Sequence, residues 1–218
     1  MAIDRTIAAG THGRYLIEPP TSAGPAPVLV GFHGYSEGAE AQLERMRRIP
    51  GSDRWLLVSI QGLHRFYQRR TNEVVASWMT RQDRELAIAD NLAYVDAVID
   101  AVDREYPGAM SLVLSGFSQG VSMTFRAATG LSRRVDGVIA VGGDVPPELG
   151  PDPLEGVSQA LVCHGTRDEF YAQAMFECDV QRLRDAKVTV RALEFDGGHE
   201  WSDAVVEAAS LFLRERWR

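Results

Sequence analysis

The segment Gly116-Phe117-Ser118-Gln119-Gly120 constrains the fold of this chain more than any other. It follows the apolar run 110–114, which predicts a buried strand, and it precedes a stretch that predicts a helix. G-x-S-x-G between a strand and a helix is typical of a sharp, strained turn that lifts a serine hydroxyl above a sheet. A Cβ at either glycine would crowd the neighbouring strand or helix. Ser118 is therefore a candidate nucleophile, although a serine at a helix start is also a common N-cap.

A candidate base and a candidate acid follow two later strands. The run 159–163 predicts a buried strand that leads to Asp168, and 188–195 predicts a strand that ends before His199. The carboxyl ends of parallel strands share one edge of a sheet, so all three side chains are expected to meet there. A serine needs a base to become nucleophilic, and the base needs an orienting acid. The pattern therefore predicts Ser118, His199 and Asp168 as a catalytic triad.

Strands and helices alternate along most of the chain. The predicted strands are 4–8, 13–18, 27–32, 55–60, 110–115, 136–141, 159–163 and 188–195, with the first two forming an antiparallel pair. The predicted helices are 38–48, 82–105, 118–129, 169–186 and 200–217. The alternation predicts an α/β fold, with a mostly parallel twisted sheet and helices on both faces. The segment 63–79 is expected to be a loop that overhangs the site.

These motifs resemble those of the α/β-hydrolase superfamily, in particular its small, lidless carboxylesterases. That group includes bacterial phospholipase/carboxylesterase proteins and acyl-protein thioesterases. The shared motifs, which extend from about residue 28 to the C-terminus, are His33-Gly34, the G-x-S-x-G segment, His164-Gly165-x-x-Asp168 and Gly198-His199. The chain order Ser…Asp…His is also the order of this superfamily. The resemblance implies an α/β-hydrolase fold, and the chain has no stretch left for a large cap domain.

The resemblance also implies an oxyanion hole. In this fold one backbone N–H comes from the loop after an early strand, and the other from the residue after the nucleophile. Tyr35 and Gln119 occupy those positions. Two segments depart from the family pattern: Ser77-Trp78-Met79-Thr80-Arg81, where Trp-aromatic-Asp is common, and Tyr35-Ser36-Glu37-Gly38, where a Gly-Asp turn is frequent. Both border the substrate, so they weaken any transfer of substrate identity from the family.

Some polar residues near the strand ends have competing interpretations. Asp144 is a rival acid because it also follows a predicted strand, but Asp168 follows the strand that this fold normally uses. Asp196 lies too close in the chain to the candidate base to orient it. His33 and His164 each precede a glycine and are interpreted as imidazoles bonded to loop backbone. No ligand pair has the spacing of a zinc site.

Aromatic residues are the candidates for substrate contact. Trp78, Phe66 and Trp201 are predicted to line an acyl or aryl pocket. For Trp78 and Phe66, packing against the protein body remains an equal alternative. The arginines of 63–70 are better interpreted as solvated than as ligands of an anionic substrate group.

Composition limits the remaining possibilities. The 218 residues predict a single domain spanning 1–218, and the formal net charge of −7 argues against nucleic acid and anionic membranes as partners. No run of 18 apolar residues is present and the N-terminus does not resemble a signal peptide, so no stable membrane insertion is expected. Cys163 and Cys178 are expected to be buried free thiols. A cytoplasmic location is the default expectation.

The leading hypothesis is a serine carboxylester hydrolase that acts on small or medium acyl esters through an acyl-enzyme. It needs no cofactor and no metal, its partner is a small-molecule ester, and the protein is a monomer or a homodimer. A lysophospholipase or an acyl-thioesterase would use the same residues. An acyltransferase and a non-catalytic hydrolase-like binding protein are the alternatives from other classes.

Overall fold

The structure, a computed structural model, describes residues 1–109 and 111–215. Its strands are β1 (Arg14–Glu18), β2 (Val28–Phe32), β3 (Leu56–Gln61), β4 (His64–Tyr67), β5 (Val74–Ser77), β6 (Leu112–Phe117), β7 (Gly137–Val141), β8 (Gln159–Gly165) and β9 (Thr189–Phe195). Its helices are α1 (Ala39–Arg47), α2 (Arg84–Glu105), α3 (Gln119–Gly130), α4 (Pro151–Leu154), α5 (Gln173–Asp185) and α6 (Asp203–Arg214). A 3₁₀ turn spans Ser52–Arg54.

Seven of the described strands form one sheet in the order β1-β3-β2-β6-β7-β8-β9. Only β1 is antiparallel to its neighbour; the other pairs in this sheet are parallel. The central strands β2, β6 and β7 are buried at every position, as expected for strands that are covered on both faces. The predicted α/β fold with a mostly parallel sheet is therefore confirmed.

Helices cover both faces of the sheet. Helices α1 and α6 bury apolar side chains in one core cluster, while α2, α3 and α5 do so in the other. In α6 the buried residues Val205, Ala209 and Phe212 recur at helical spacing, and the Ser202 hydroxyl caps the first turn by accepting from the Val205 N–H. Between β7 and β8 the chain forms only the four-residue α4, so no large cap covers the sheet there.

The register aligns the carboxyl ends of the strands that precede the candidate site. Phe32 at the end of β2 lies opposite Gly116 of β6, and Phe117 lies opposite Val141 of β7. Gly165 of β8 lies opposite Phe195 of β9. The loops after β2, β6, β8 and β9 therefore emerge at the same edge, which is where parallel sheets hold their ligands.

Two predictions near the N-terminal half are wrong. Residues 4–8 form no strand, and β1 pairs with β3 instead, which already buries much of the apolar surface of β1. Ile7, the isoleucine of 4–8, stays exposed, so this segment packs no large apolar side chain against the sheet. The segment 63–79 is not a plain loop, because β4 and β5 form an antiparallel hairpin within it.

The short helix α4 was not predicted. The predicted strand 110–115 begins at Met110 and the predicted helix 200–217 reaches residue 217, and both of those positions lie outside the described residues. None of the described helices combines the length and the apolar character that crossing a membrane requires.

Candidate active site

Ser118 lies in a strained turn between β6 and α3. Its backbone adopts φ 53° and ψ −123°, a conformation that side-chain-bearing residues rarely adopt. Its N–H donates to the Val141 carbonyl at 2.9 Å, which fixes the turn against β7. Ser118 occupies the N-cap position of α3, yet its side chain makes no capping hydrogen bond. Helix capping therefore does not account for this serine.

The two glycines of the turn are required by close contacts. A Cβ on Gly116 would lie 2.3 Å from the Thr124 hydroxyl oxygen. A Cβ on Gly120 would lie 2.1 Å from the Phe32 carbonyl oxygen. Both distances are far below van der Waals contact, so β2, β6 and α3 can pack this closely only with glycine at these positions.

His199 and Asp168 are hydrogen-bonded to each other. His199 Nδ1 lies 2.8 Å from Asp168 Oδ2, and because a carboxylate can only accept, Nδ1 is the donor. The second carboxylate oxygen accepts from the N–H groups of Phe170 at 2.8 Å and Tyr171 at 3.0 Å. Residue 142 beside this pair is a glycine with a positive φ. A Cβ there would lie 3.2 Å from His199 Nδ1, so the absence of a side chain keeps space for the imidazole.

The carboxyl group of Asp168 is held in its ionised form. Burial alone would raise the pKa of Asp168, but the Tyr171 N–H, the His199 imidazole and the Phe170 N–H stabilise the carboxylate and bring the pKa below its ordinary value. Neither rival acid is bonded to His199. Among the hydrogen bonds of the described residues, Asp144 accepts from the Ser122 hydroxyl, at 3.5 Å, and Asp196 pairs with Arg167 at the surface.

Ser118 and His199 line the same cavity, which has a volume of about 440 Å³. Two aromatic rings flank the histidine, with Phe117 at 4.9 Å and Phe170 at 5.0 Å between ring centroids. The residues that line the cavity are Gly34, Tyr35, Glu37, Arg45, Arg48, Phe117, Ser118, His199, Glu200 and Trp201. The wall is thus a mixture of aromatic and charged side chains, of a size that holds a small ligand.

The two predicted oxyanion donors follow the carboxyl ends of β2 and β6, which are neighbours in the sheet. Tyr35 is in the loop after β2, and Gln119 is the first residue of α3. Among the hydrogen bonds of the described residues, neither backbone N–H has a protein acceptor. The Gln119 side chain is bonded elsewhere: its oxygen accepts from the Trp78 N–H at 3.0 Å and its amide donates to the Met79 carbonyl at 3.1 Å.

The three aromatic residues proposed for substrate contact have different positions. Trp201 is largely buried and lines the cavity. Phe66 is half-buried and packs against Tyr35, with ring centroids 5.7 Å apart, at the rim and not in the wall. Trp78 has no exposed surface, because its ring packs against Phe32 and its Nε1 donates to a backbone carbonyl. Direct substrate contact by Trp78 is therefore wrong, and packing explains its position.

The other predicted residues can also be placed. His33 is buried and bonded to backbone: Nδ1 contacts the Gly34 carbonyl at 2.7 Å and Nε2 accepts from the Gly62 N–H. Burial lowers the pKa of His33. His164 is buried too, but in the described part of the chain neither of its ring nitrogens has a partner, so its predicted backbone bond is wrong.

The remaining predictions concern arginines, cysteines and metal ligands. The arginines of 63–70 are exposed and do not line the cavity, as the solvated interpretation expected. Cys163 is buried, whereas Cys178 is exposed, so the burial expected of Cys178 is wrong. Among the described residues no cluster of three or more His, Cys, Asp or Glu is arranged to hold a metal ion.

The sequence did not single out the charged residues of the cavity. Glu37 and Arg45 form an ion pair with an N–O distance of 2.6 Å, and their side chains are 24% and 16% exposed. Arg48 donates to the Trp201 carbonyl and to Asp203. A helical face that carries both Arg45 and Arg48 is visible in the sequence. The sequence does not show their partners: Glu37 lies eight residues from Arg45, whereas Trp201 and Asp203 are far from Arg48 in the chain.

A strained serine turn, a histidine–carboxylate pair and an aligned sheet edge define the α/β-hydrolase class. The family model described as phospholipase/carboxylesterase matches residues 19–216. The chain therefore belongs to the phospholipase/carboxylesterase family, as the sequence motifs indicated, and it is a serine hydrolase of the carboxylesterase type. Comparison with curated proteins gives no match.

Several solved structures have a similar fold. Esterase PE8 has a TM-score of 0.75 and 21% identity, covering 93% of this chain and 98% of its own. The acyl-protein thioesterase 2 of Zea mays has a TM-score of 0.76 and 15% identity, with 95% and 100% covered. The carboxylesterase of Bacillus cereus has a TM-score of 0.74 and 16% identity, with 94% of each chain covered. At these identities the likeness concerns the fold alone.

Proposed function

We propose that this protein hydrolyses carboxylic esters with small or medium acyl groups through a Ser118–His199–Asp168 triad. The observation that carries the proposal is the hydrogen bond between His199 Nδ1 and the buried Asp168 carboxylate. This bond selects the tautomer of the neutral imidazole that has its proton on Nδ1, and in that tautomer Nε2 has the lone pair that a base needs. Ser118, in its strained turn, lines the same cavity as this histidine.

The reaction proceeds in two halves. His199 takes the proton of Ser118 as the serine oxygen attacks the ester carbonyl carbon, and Asp168 stabilises the imidazolium that forms. The N–H groups of Tyr35 and Gln119 hold the negative oxygen of the tetrahedral intermediate. His199 then protonates the leaving alcohol as the carbon–oxygen bond breaks. In the second half His199 activates a water molecule that hydrolyses the acyl-enzyme and restores the serine.

Cavity size and composition support small or medium acyl groups. The cavity of about 440 Å³ lies in the lower part of the range typical of small-molecule sites, and charged side chains interrupt its aromatic wall. A long acyl chain would need a continuous apolar path. The charge of −7 supports a neutral small-molecule ester as the partner in preference to nucleic acid. The monomeric or homodimeric state and the cytoplasmic location stay predictions.

A p-nitrophenyl ester series from acetate to palmitate, run on wild type and Ser118→Ala, tests the proposal. We expect activity that is highest from acetate to octanoate and absent in the variant. The variant should fold normally because the hydroxyl makes no structural hydrogen bond as a cap. Activity retained by the folded variant would overturn the role of Ser118. An optimum at palmitate would favour the lysophospholipase or acyl-thioesterase alternative.

A further inference from the structure

We propose that Glu37 and Arg45 form a positioning pair that holds the oxyanion loop, residues 34–38, in the shape that catalysis requires. The inference rests on the proposed function and assigns a role to two residues that do not touch the reacting atoms. Glu37 Oε2 accepts from the Gly34 N–H at 2.8 Å and from Arg45 Nη1 at 2.6 Å. Glu37 Oε1 accepts from Arg45 Nη2 at 2.6 Å, so the ion pair is bidentate.

Hydrogen bonds hold the loop on both sides of Tyr35. The Gly34 N–H is bonded to the Glu37 side chain, and the Ser36 N–H donates to the Ala76 carbonyl at 3.0 Å. The Glu37 carbonyl accepts from the Ala76 N–H at 2.7 Å, which anchors the loop to the hairpin. Between these bonded residues lies Tyr35, whose N–H has no protein acceptor among those of the described residues. The network therefore holds the amides on either side of Tyr35 and leaves the Tyr35 N–H free to bind an oxyanion.

The same pair reaches the nucleophile turn. The Arg45 guanidinium lies over the Phe117 ring, 4.0 Å from its centroid, and the Phe117 ring lies 4.9 Å from that of His199. A Cβ on Gly34 would be only 3.0 Å from the Glu37 carboxylate and 3.2 Å from the Phe117 ring. The oxyanion loop, the ion pair and the residue before Ser118 are thus in close contact with one another.

Such packing matters because an oxyanion hole works by preorganisation. Its donors must already point to where negative charge develops, and a small displacement weakens their effect. The Glu37 carboxylate holds the loop through its hydrogen bond from the Gly34 N–H, and a charged acceptor forms a stronger hydrogen bond than a neutral one does. Arg45 in turn fixes Glu37 from helix α1. Loss of the charge should leave substrate binding nearly intact and weaken the binding of the transition state.

The test compares Glu37→Gln with wild type and with a matched control. Glutamine keeps the size and one acceptor oxygen but removes the charge and the second acceptor. Arg47→Gln is the control. Arg47 lies on helix α1, as Arg45 does, but it pairs with Glu18 at the surface, away from the cavity. Kinetics on p-nitrophenyl butyrate give kcat and KM separately. Binding of an alkyl boronic acid, which forms a tetrahedral adduct with the serine, reports affinity for a mimic of the intermediate.

We expect Glu37→Gln to lower kcat by about 10- to 100-fold, less than the 10²–10³-fold that loss of an entire donor causes. KM should change by less than about threefold, and boronic acid affinity should fall by about the same factor as kcat/KM. Arg47→Gln should match wild type in all three quantities. A simple structural role for Glu37 would instead lower the melting temperature without this division between kcat and KM.

Arg45→Lys provides a second variant in case Glu37→Gln does not fold. Lysine keeps the positive charge beside Glu37 but loses the bidentate contact and the planar group over Phe117, so kcat should again fall at nearly constant KM. Wild-type kcat in whichever variant folds would overturn the positioning role while leaving the proposed function in place. A wild-type protein that hydrolyses none of the esters would overturn the proposed function, and the positioning role with it.

Discussion

Replacing Asp168 with asparagine tests the assignment of the acid most directly. One oxygen of Asp168 accepts two backbone N–H groups, and the other accepts from His199 Nδ1. An asparagine has only one acceptor oxygen, and the two backbone donors hold it in place. Its NH₂ group then faces Nδ1, which must become an acceptor, so the imidazole proton moves to Nε2. The histidine is thereby left in the tautomer that cannot take a proton from Ser118.

A wrong tautomer of this kind costs serine-triad enzymes about 10⁴-fold in kcat, which corresponds to about 5.5 kcal/mol in the activation free energy. We expect that loss for Asp168→Asn in p-nitrophenyl butyrate hydrolysis, with a circular dichroism melt to show that the variant is folded. Asp144→Asn is the matched control and should stay within about threefold of wild type. The assignment fails if Asp168→Asn keeps more than a tenth of the activity, or if Asp144→Asn loses as much.

Three further perturbations have expected outcomes. Gly120→Ala should lower the free energy of unfolding by more than about 2 kcal/mol, since its Cβ would lie 2.1 Å from a backbone oxygen; a melting temperature equal to that of wild type would contradict the packing. Acidification from pH 5 to pH 3 should destabilise the protein. Burial alone would raise the pKa of Glu37, but Arg45 and the Gly34 N–H hold it below the ordinary 4.5. The ionised Glu37 therefore stabilises the folded protein above pH 4.5, and this contribution is lost as the pH falls through the folded pKa. Thermal melts of Glu37→Gln should show a smaller loss, and an equal loss would refute the linkage. His164→Leu should keep or raise the melting temperature, because neither ring nitrogen has a hydrogen-bond partner among the described residues. A fall of more than about 4 °C would contradict this expectation.

The sheet and the triad candidates were predictable because each rests on a local pattern. Apolar runs mark the parallel strands, and Ser118, Asp168 and His199 each follow such a run at its carboxyl end. The glycines on either side of the serine were predictable too, because a Cβ at either position would collide with the neighbouring strand or helix. These are properties of a few neighbouring residues, so they can be read from the sequence without knowing what the rest of the chain contacts.

The residues that the sequence did not reveal depend on side-chain contacts that only the fold specifies. Glu37 lies three residues from Gly34 and eight from Arg45, but nothing in the sequence shows that its carboxylate bonds to both. Trp78 lies in a polar segment and suggested a pocket wall, yet its indole N–H finds a backbone acceptor inside the protein. The hairpin of β4 and β5 was missed because its turn contains no glycine; Asn72 adopts the positive φ instead.

At Ser118 the residue that would be most stable differs from the residue that the proposed reaction requires, because the backbone is strained there. A glycine there would adopt φ 53° without steric cost, and it would remove the hydroxyl on which the proposed reaction depends. Rounds of selection for heat resistance alone would therefore favour an inactive protein at this site. Directed evolution of this enzyme must therefore screen turnover in every generation, because glycine at residue 118 favours stability whereas the proposed reaction requires serine.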